Sequence, residues 1–411
     1  MSDRWLILAD DLSGAADAGV AFARRGRVTE VRWNAARAPA ADAEVIAFDT
    51  DSRRLDAAAA AARQREALQA LPARDATLYK KIDSTLRGQP AAEIAAIRAA
   101  MGEACRRVVF APANPAMGRR TRDGRVFVRD LPLEQTETWR REHTYANADL
   151  EDVLGSAGLR AIKLPLDVVR SPPRLARALD GIAGPTATWI CDAETDADLA
   201  AIARAGLVHA GTLFAGTAGL AQALAAQLAP RRFSPLDLRP VRTGTLIVVG
   251  SLSSISRAAA AELARQPNVS PQRVPSQMLR DPRRAGELAT LGASVAATLA
   301  AGADVLVEIA TEAQPDLAAG PALVRALAAG LGPARHAAGG LIVTGGETAA
   351  ALLDGWYFHG VRLIDEVAPG ISLGVALGER QLPMVTKPGG FGDARSLVLS
   401  LEALRRLRAR D

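Results

Sequence analysis

The sequence predicts an α/β protein: two α/β domains with mainly parallel sheets and an active site in the interdomain cleft. Three observations predict it. Short apolar runs such as Trp5-Leu6-Ile7-Leu8-Ala9 and Leu341-Ile342-Val343 alternate with helical segments, the pattern of strand–helix units. Polar or glycine-rich loops follow those runs, where open parallel sheets place ligands. Residues 229–244 hold Pro230, Pro235 and Pro240, several arginines and little periodicity, as a linker does. The division is a domain at 1–230, a linker at 231–244 and a domain at 245–411. A chain of 411 residues has room for two or three domains of about 100–200 residues each. Aromatic residues are only 4%, so the cores must be built from Ala, Leu and Val.

The first domain begins with the apolar run to Ala9, a buried strand that ends at Asp10-Asp11 and leads into a small-residue helix through Arg24. Arg27 to Trp33 and Glu44 to Phe48 read as strands, the second ending in the polar loop Asp49-Thr50-Asp51-Ser52-Arg53. Leu55 to Leu71 reads as a helix. Ala76 to Tyr79 reads as a strand end, followed by a loop from Lys80 to Gly88 and a helix from Gln89. Arg107 to Phe110 is a strand that delivers the segment Ala111 to Arg119. Asp123-Gly124, between Arg122 and Val126-Phe127-Val128, reads as a hairpin turn. Strands at Leu159–Leu164 and Thr186–Cys191, a helix from Asp196, and the segment Phe214 to Gly219 leading into an alanine-rich helix that ends near Leu228 continue the alternation.

The second domain repeats one design three times: strand, glycine-rich loop, helix. The loops are Gly250-Ser251-Leu252-Ser253, Thr344-Gly345-Gly346-Glu347-Thr348 and Lys387-Pro388-Gly389-Gly390-Phe391-Gly392. Glycine lets backbone N–H groups approach an anion, and a helix N-terminus adds free donors. Three such loops favour a nucleotide-phosphate site, with Lys387 as a cation near the phosphates. Tight turns and an ordinary helix cap for Glu347 are the plainer explanations. The last stretch, Leu397 to Leu407, is an amphipathic helix that could serve a homodimer interface as easily as cap a core.

Several function classes lack support. The net charge of +5 is modest and the arginines are scattered without interleaved aromatics, so no nucleic-acid partner is expected. No run approaches about 18 apolar residues and no secretory leader opens the chain, so no membrane partner is expected and a cytoplasmic setting is. Cys105 and Cys191 form no CxxC pair, which suits a reducing compartment. The four histidines show no ligand spacing, and no protein metal site is expected. Ser251 and Ser253 lack a nucleophile elbow of the GxSxG form, and there is no GxxxxGK[ST] and no GxGxxG after the first strand of either domain.

The first domain's strand ends carry Asp10, Asp11, Asp51 and Asp83 together with Lys81, Arg87, Arg53 and Arg119. Carboxylates bind or deprotonate hydroxyls, and arginine grips a carboxylate in bidentate fashion, so the mixture suits a polyhydroxylated anion. A set of structural ion pairs is the competing explanation. The chain has 50 Lys+Arg but only four lysines, so the Lys80-Lys81 pair marks a place where a compact charge is wanted. A hydroxylated anion in one domain and a nucleotide in the other point to phosphoryl transfer with Mg²⁺.

The residues also resemble a known family. Ile7-Leu8-Ala9-Asp10-Asp11-Leu12-Ser13-Gly14-Ala15-Ala16-Asp17, Lys80 to Gly88 and Ala111 to Arg119 are similar to three signatures of the four-carbon acid sugar kinases, and the second domain's loops follow in that family's order. The resemblance implies an ATP- and Mg²⁺-dependent kinase for a threonate-, erythronate- or 3-oxo-tetronate-type acid. It implies an acid site of Asp10, Asp11, Lys81, Asp83, Ser84, Arg87 and Arg119, with Asp11, Lys81 and Asp83 carrying the chemistry. It implies an ATP site of Ser251, Ser253, Gly345, Gly346, Glu347, Thr348, Lys387, Gly389 and Gly390. Arg87 is expected to grip the substrate carboxylate, Asp83 a hydroxyl, and Lys81 to face the γ-phosphate. Asn114 stands where many members carry an aromatic residue, and Arg141 to Asp149 lacks the family's Asp-Pro-rich wording. A non-catalytic sugar-acid-binding protein and a nicotinamide oxidoreductase are the alternatives.

Overall fold

A parallel sheet covered on both faces needs strands apolar on both sides. The computed structural model buries every residue of Trp5–Ala9, Val45–Asp49, Arg107–Ala111 and Ala187–Cys191. The structure describes residues 3–35, 40, 42–73, 75–181, 187–232, 238, 242–310 and 319–409. The chain separates into two units, Met1–Ser234 and Pro235–Asp411. Most of the expected linker at 231–244, with Pro235 and Pro240, lies outside the described residues, as does Thr186.

In the first unit eight strands run in the order Thr29–Arg32, Val45–Asp49, Trp5–Ala9, Thr77–Lys81, Thr212–Gly216, Arg107–Ala111, Ala187–Cys191 and Arg160–Leu164. Every neighbouring pair is parallel. From Trp5–Ala9 the chain goes first to Thr29–Arg32, two positions away, steps back to Val45–Asp49 between them, and then places Thr77–Lys81 on the other side of Trp5–Ala9. That reversal is where open α/β sheets form their ligand crevice. The register sets Ala9 beside both Asp49 and Lys81, so the three loops that follow start side by side.

The helix Leu12–Ala23 is buried along its whole length, which its Gly and Ala content permits, and Trp5 packs on Phe22 with ring centroids 4.8 Å apart. The expected hairpin is present: Arg119–Arg122 pairs antiparallel with Arg125–Val128. Its two turn residues, Asp123 and Gly124, have φ of 52° and 73°, the paired left-handed geometry that Asp-Gly favours.

The second unit has seven strands in the order Val269–Val274, Asp304–Ile309, Thr245–Val249, Gly340–Thr344, Leu382–Lys387, Ile371–Leu377 and Gly360–Ala368. Its last two strands are antiparallel additions that the sequence pattern does not reveal. Val269–Val274 was equally unexpected; it is a half-exposed edge strand interrupted by Pro271, which hides its period. The terminal helix Ser396–Arg408 buries Leu397, Leu401 and Leu404 in the unit's core, so its apolar face is spent there rather than offered to a second copy. Among the described residues no helix is long and apolar enough to cross a membrane.

One expectation needs correcting. Lys80 and Lys81 are the last two residues of the Thr77–Lys81 strand, not loop residues. Successive strand side chains point to opposite faces, so the two ammonium groups part company. Lys80 is fully buried and ion-paired at 3.0 Å to Glu93 of the Pro90–Met101 helix. Glu93 also accepts from Ser52 Oγ and from Gln64 Nε2. Lys80 is therefore a structural anchor beneath the strand ends. Breaking one side of a buried pair costs about 3–5 kcal/mol, whereas replacing both partners with apolar groups is often near neutral. Lys80→Ala should lower the unfolding free energy measured in urea by that much, and Lys80→Met with Glu93→Leu should recover most of the loss; equal destabilisation by the single and double variants would refute the pairing.

Candidate functional site

Three loops at the reversal point of the first unit carry the candidate residues. Asp10 directly follows the central strand and is buried. Asp11 caps the Leu12–Ala23 helix, accepting from Gly14 N–H at 2.8 Å. Arg53, at the end of the loop after Val45–Asp49, binds both carboxylates. It donates to Asp10 through Nε and Nη2, each at 2.8 Å, and to Asp11 through Nη1 at 2.7 Å and Nη2 at 2.9 Å. Burial pushes the Asp10 carboxyl up, but Arg53, helped by Lys80 and Lys81, outweighs it and holds the group below its ordinary value.

The third loop is organised around Asp83. Arg87 donates to Asp83 through Nε at 3.1 Å and Nη2 at 2.9 Å, and Thr85 N–H donates at 3.0 Å. Burial again works upward, yet Arg87 and Arg53 leave Asp83 well below the usual carboxylate range. Arg87, expected to grip a substrate carboxylate, is paired with Asp83 and lies 3.6 Å from Glu142. Leu86 is buried at φ 60°, a strained conformation of the kind found at functional loops. Gly88, at φ 77°, lets this loop pass the first: a Cβ there would lie 3.1 Å from Asp10 Oδ2. Ser84 is half-buried and makes no side-chain hydrogen bond among the described residues.

Two cations of this group have no carboxylate partner among the described residues. Lys81 donates from Nζ to the Ile82 carbonyl at 3.0 Å. Its ammonium lies close to the first turn of the Leu12–Ala23 helix, for a Cβ on Gly14 would sit 3.4 Å from it. In the same turn Ser13 Oγ is buried without a partner among the described residues. Arg119 donates from Nη1 to the Met117 carbonyl, while its Nε is buried without an acceptor among the described residues. Burial pushes the Arg119 guanidinium down; Asp83 opposes that, and Arg129 and Arg87 add to it.

Two features escape the sequence reading. Arg53 is visible in its polar loop, but its double pairing is a tertiary fact. Asp49 has no ion-pair partner among the described residues; it accepts from Asp51 N–H at 2.8 Å. Burial, with the charges of Asp11, Asp51 and Asp10, pushes Asp49 well above its ordinary value despite that bond.

The second unit brings its three glycine-rich loops together at the carboxyl ends of adjacent strands. A Cβ on Gly250 would collide with Thr348 Oγ1, and one on Gly389 with Ser251 Oγ. Ser256 Oγ donates to the Gly389 carbonyl at 2.8 Å. Gly345 has φ 91° and begins the Gly346–Gly355 helix; Glu347 is exposed in its first turn and Thr348 is buried. Ser251 Oγ accepts from Ser253 N–H at 3.2 Å, and Gly390 has open space around its Cα. Lys387 is fully buried, donating from Nζ to Ser256 Oγ at 3.1 Å and to the Pro388 carbonyl at 3.3 Å. Burial pushes its ammonium down to about 8, with Asp393 working against the shift. Among the described residues no three His, Cys, Asp or Glu side chains gather for a metal.

Residues 5–224 match the family described as a sugar-binding N-terminal domain, and residues 246–397 match a nucleotide-binding C-terminal domain. A D-threonate kinase of Cupriavidus necator is 40% identical, covering 98% of this chain and 99% of its own length. A D-threonate kinase of Bordetella bronchiseptica is 36% identical, covering 98% of each chain. A 3-oxo-tetronate kinase of Methylobacterium radiotolerans is 31% identical over 94% of this chain and 96% of its own. A crystal structure from Salmonella typhimurium LT2 superposes with a TM-score of 0.81 at 20% identity, covering 97% of this chain and 98% of that one, a likeness of fold.

The glycines give a test that needs no ligand. Gly88→Ala would force a side chain into a left-handed position against Asp10, so a loss of about 1–3 kcal/mol is expected in urea unfolding. Gly390→Ala, with nothing within 4 Å, should stay within about 0.5 kcal/mol of the parent. Similar losses at both positions would mean that the close approach at Gly88 is not what requires glycine.

Proposed function

The chain belongs to the four-carbon acid sugar kinase family, and on that footing we propose that it transfers the γ-phosphoryl group of ATP to a hydroxyl of a four-carbon sugar acid of the threonate type. The observation that carries this reading is the pair of uncommitted cations in the first unit. Of Arg53, Lys81, Arg87 and Arg119, only Lys81 and Arg119 have no carboxylate among the described residues. A sugar acid brings one carboxylate, and a phosphoryl donor brings the other anion.

In this reading Arg119 takes the substrate carboxylate, the role first expected of Arg87. Asp10, Asp11 and Asp83 accept from substrate hydroxyls through lone pairs that their arginines leave open. Lys81, Ser13 Oγ and the N–H groups of the adjoining helical turn receive the transferring phosphoryl group, where anions are favoured. Asp83, held well below the usual carboxylate range, is a weak base and serves better as an acceptor that orients a hydroxyl. Phosphoryl transfer through a loose transition state asks mainly for position and charge.

In the second unit the backbone around Ser251, Ser253, Gly345, Gly346, Thr348, Gly389 and Gly390 would hold the nucleotide phosphates, and the glycines that admit no Cβ fit that use. Mg²⁺, when bound, neutralises charge between the phosphates. Phosphate oxygens and water suit it as ligands, and no protein cage is required. Lys387 pins two of the loops from beneath; a phosphate nearby would favour its charged form.

A coupled ADP-release assay over threonate, erythronate and 3-oxo-tetronate, with five-carbon acids as controls, tests the reaction. Turnover with a four-carbon acid is expected, and saturable acid binding without ADP release across the whole panel would replace the kinase by a binding protein. Arg119→Gln should raise KM for the acid about 10–100-fold while leaving KM for ATP within about twofold. Lys81→Ala should lower kcat by about two orders of magnitude or more. A KM for the acid unmoved by Arg119→Gln would remove Arg119 from the carboxylate.

The Lys387 ammonium makes a separate pH prediction. Its folded value, about 8, lies below the unfolded 10.5. The cation is therefore present below pH 8 at some expense of stability, and that strain is relieved as pH rises from about 8 to about 10.5. Nucleotide affinity should move the opposite way, weakening as pH rises through 8, and Lys387→Met should flatten the profile measured by calorimetry. A profile unchanged in the variant would exclude Lys387 from nucleotide binding.

A further inference from the structure

The second unit contains a cavity of about 250 Å³ lined by Arg335, His336, Trp356, Phe358, Glu379 and Arg380. Its position separates it from the glycine-rich loops. Arg335 and His336 precede the strand Gly340–Thr344, Trp356 and Phe358 precede Gly360–Ala368, and Glu379 and Arg380 precede Leu382–Lys387. The cavity therefore lies at the beginnings of two parallel strands whose far ends carry Gly345 and Pro388, one strand length or about 15–20 Å away.

Its lining is mainly cationic and aromatic. Trp356 is buried, and its indole N–H has no acceptor among the described residues, which is unfavourable for a buried donor. Arg335 lies over the Tyr357 ring at 5.0 Å and donates from Nε to His336 Nε2 at 2.9 Å. That bond uses Nε2 as the acceptor. Arg380 donates through Nη2 to the carbonyls of Arg335 and Ala338, at 2.5 and 2.7 Å. The one acidic side chain in the lining, Glu379, is largely exposed and reaches Arg335 only at 3.8 Å. Burial, with the charge of Arg335, pushes the Arg380 guanidinium down. Two guanidiniums thus face a small cavity with one distant, solvated carboxylate to balance them.

We propose that this cavity binds a small oxyanion, a phosphate or a short carboxylate, whose oxygens accept from guanidinium N–H groups of Arg335 and Arg380 beside the Trp356 ring. The site is distinct from the glycine-rich loops, and its occupancy does not depend on the kinase reading. The two strands beside it run on to those loops.

The test uses the intact chain with ¹⁵N-labelled tryptophan. The Trp356 indole signal is identified by its absence in Trp356→Phe, and inorganic phosphate and succinate are titrated separately at constant ionic strength. A saturable shift of the Trp356 signal in the millimolar range is expected in at least one arm, with the signals of Trp5, Trp33, Trp139 and Trp189 unmoved. The arm that responds identifies phosphate or carboxylate as the ligand. Arg335→Gln, on a partly exposed side chain, should weaken that binding about tenfold while circular dichroism stays unchanged. No saturable shift in either arm up to roughly 50 mM, or an unaltered titration in Arg335→Gln, would overturn the proposal.

Discussion

One guanidinium shared by two carboxylates governs the first unit. Asp10 is buried at the end of the central strand, where an unpaired carboxylate would be strongly unfavourable. Arg53 reaches it from the neighbouring strand's loop and takes Asp11 with its remaining N–H groups. The third loop can close over this cluster only because Gly88 has no side chain to meet Asp10. Beneath them Lys80 and Glu93 form a second buried pair, which through Ser52 and Gln64 holds the Arg53 loop from below. Fold and site thus depend on the same charges: loops that would otherwise be mobile are fixed by ion pairs too buried for solvent to screen fully.

Pre-paired carboxylates remain useful to a substrate. A carboxylate offers about four acceptor positions, and a bidentate arginine fills two. The open positions are fixed in direction by the pairing, and a sugar hydroxyl that donates to them meets a rigid acceptor. Such preorganisation lowers the reorganisation that chemistry would otherwise demand. It also explains how four carboxyls stand so close together. Asp10, Asp11 and Asp83 are each neutralised by an arginine, and Asp49, which is not, is raised by burial and by their charge.

The sequence makes the strand ends legible because they are abrupt: an apolar run stops, and carboxylates, arginines or glycines begin. It makes the Asp123-Gly124 hairpin legible because only left-handed residues suit that turn. It does not reveal the faces. Lys80 and Lys81 read as one doubled charge, and one residue of strand separates a core anchor from a site cation. Nor does it reveal partners. Arg87 and Arg119 look interchangeable in composition, and Asp83 decides between them by pairing with Arg87. In the second unit the glycine-rich loops stand out, whereas the antiparallel pair Gly360–Ala368 and Ile371–Leu377, half-exposed over much of the first strand, carries too weak a period to be seen.

The two units meet anions by different physics. The first sets side-chain charge against side-chain charge, so its selectivity rests on which cations remain unbalanced, and one substitution can change that balance. The second relies on backbone N–H groups admitted by glycines, with its one lysine buried and close to losing its proton. Backbone donors recognise phosphate in any nucleotide and are indifferent to most side-chain changes except an added Cβ. A charge-balanced side-chain site is the one that can be retuned for a different acid. On the proposed reading a different acid would be met by substitution at the first unit's strand ends, Arg119 among them, whereas Gly250 and Gly389 have no room for a Cβ.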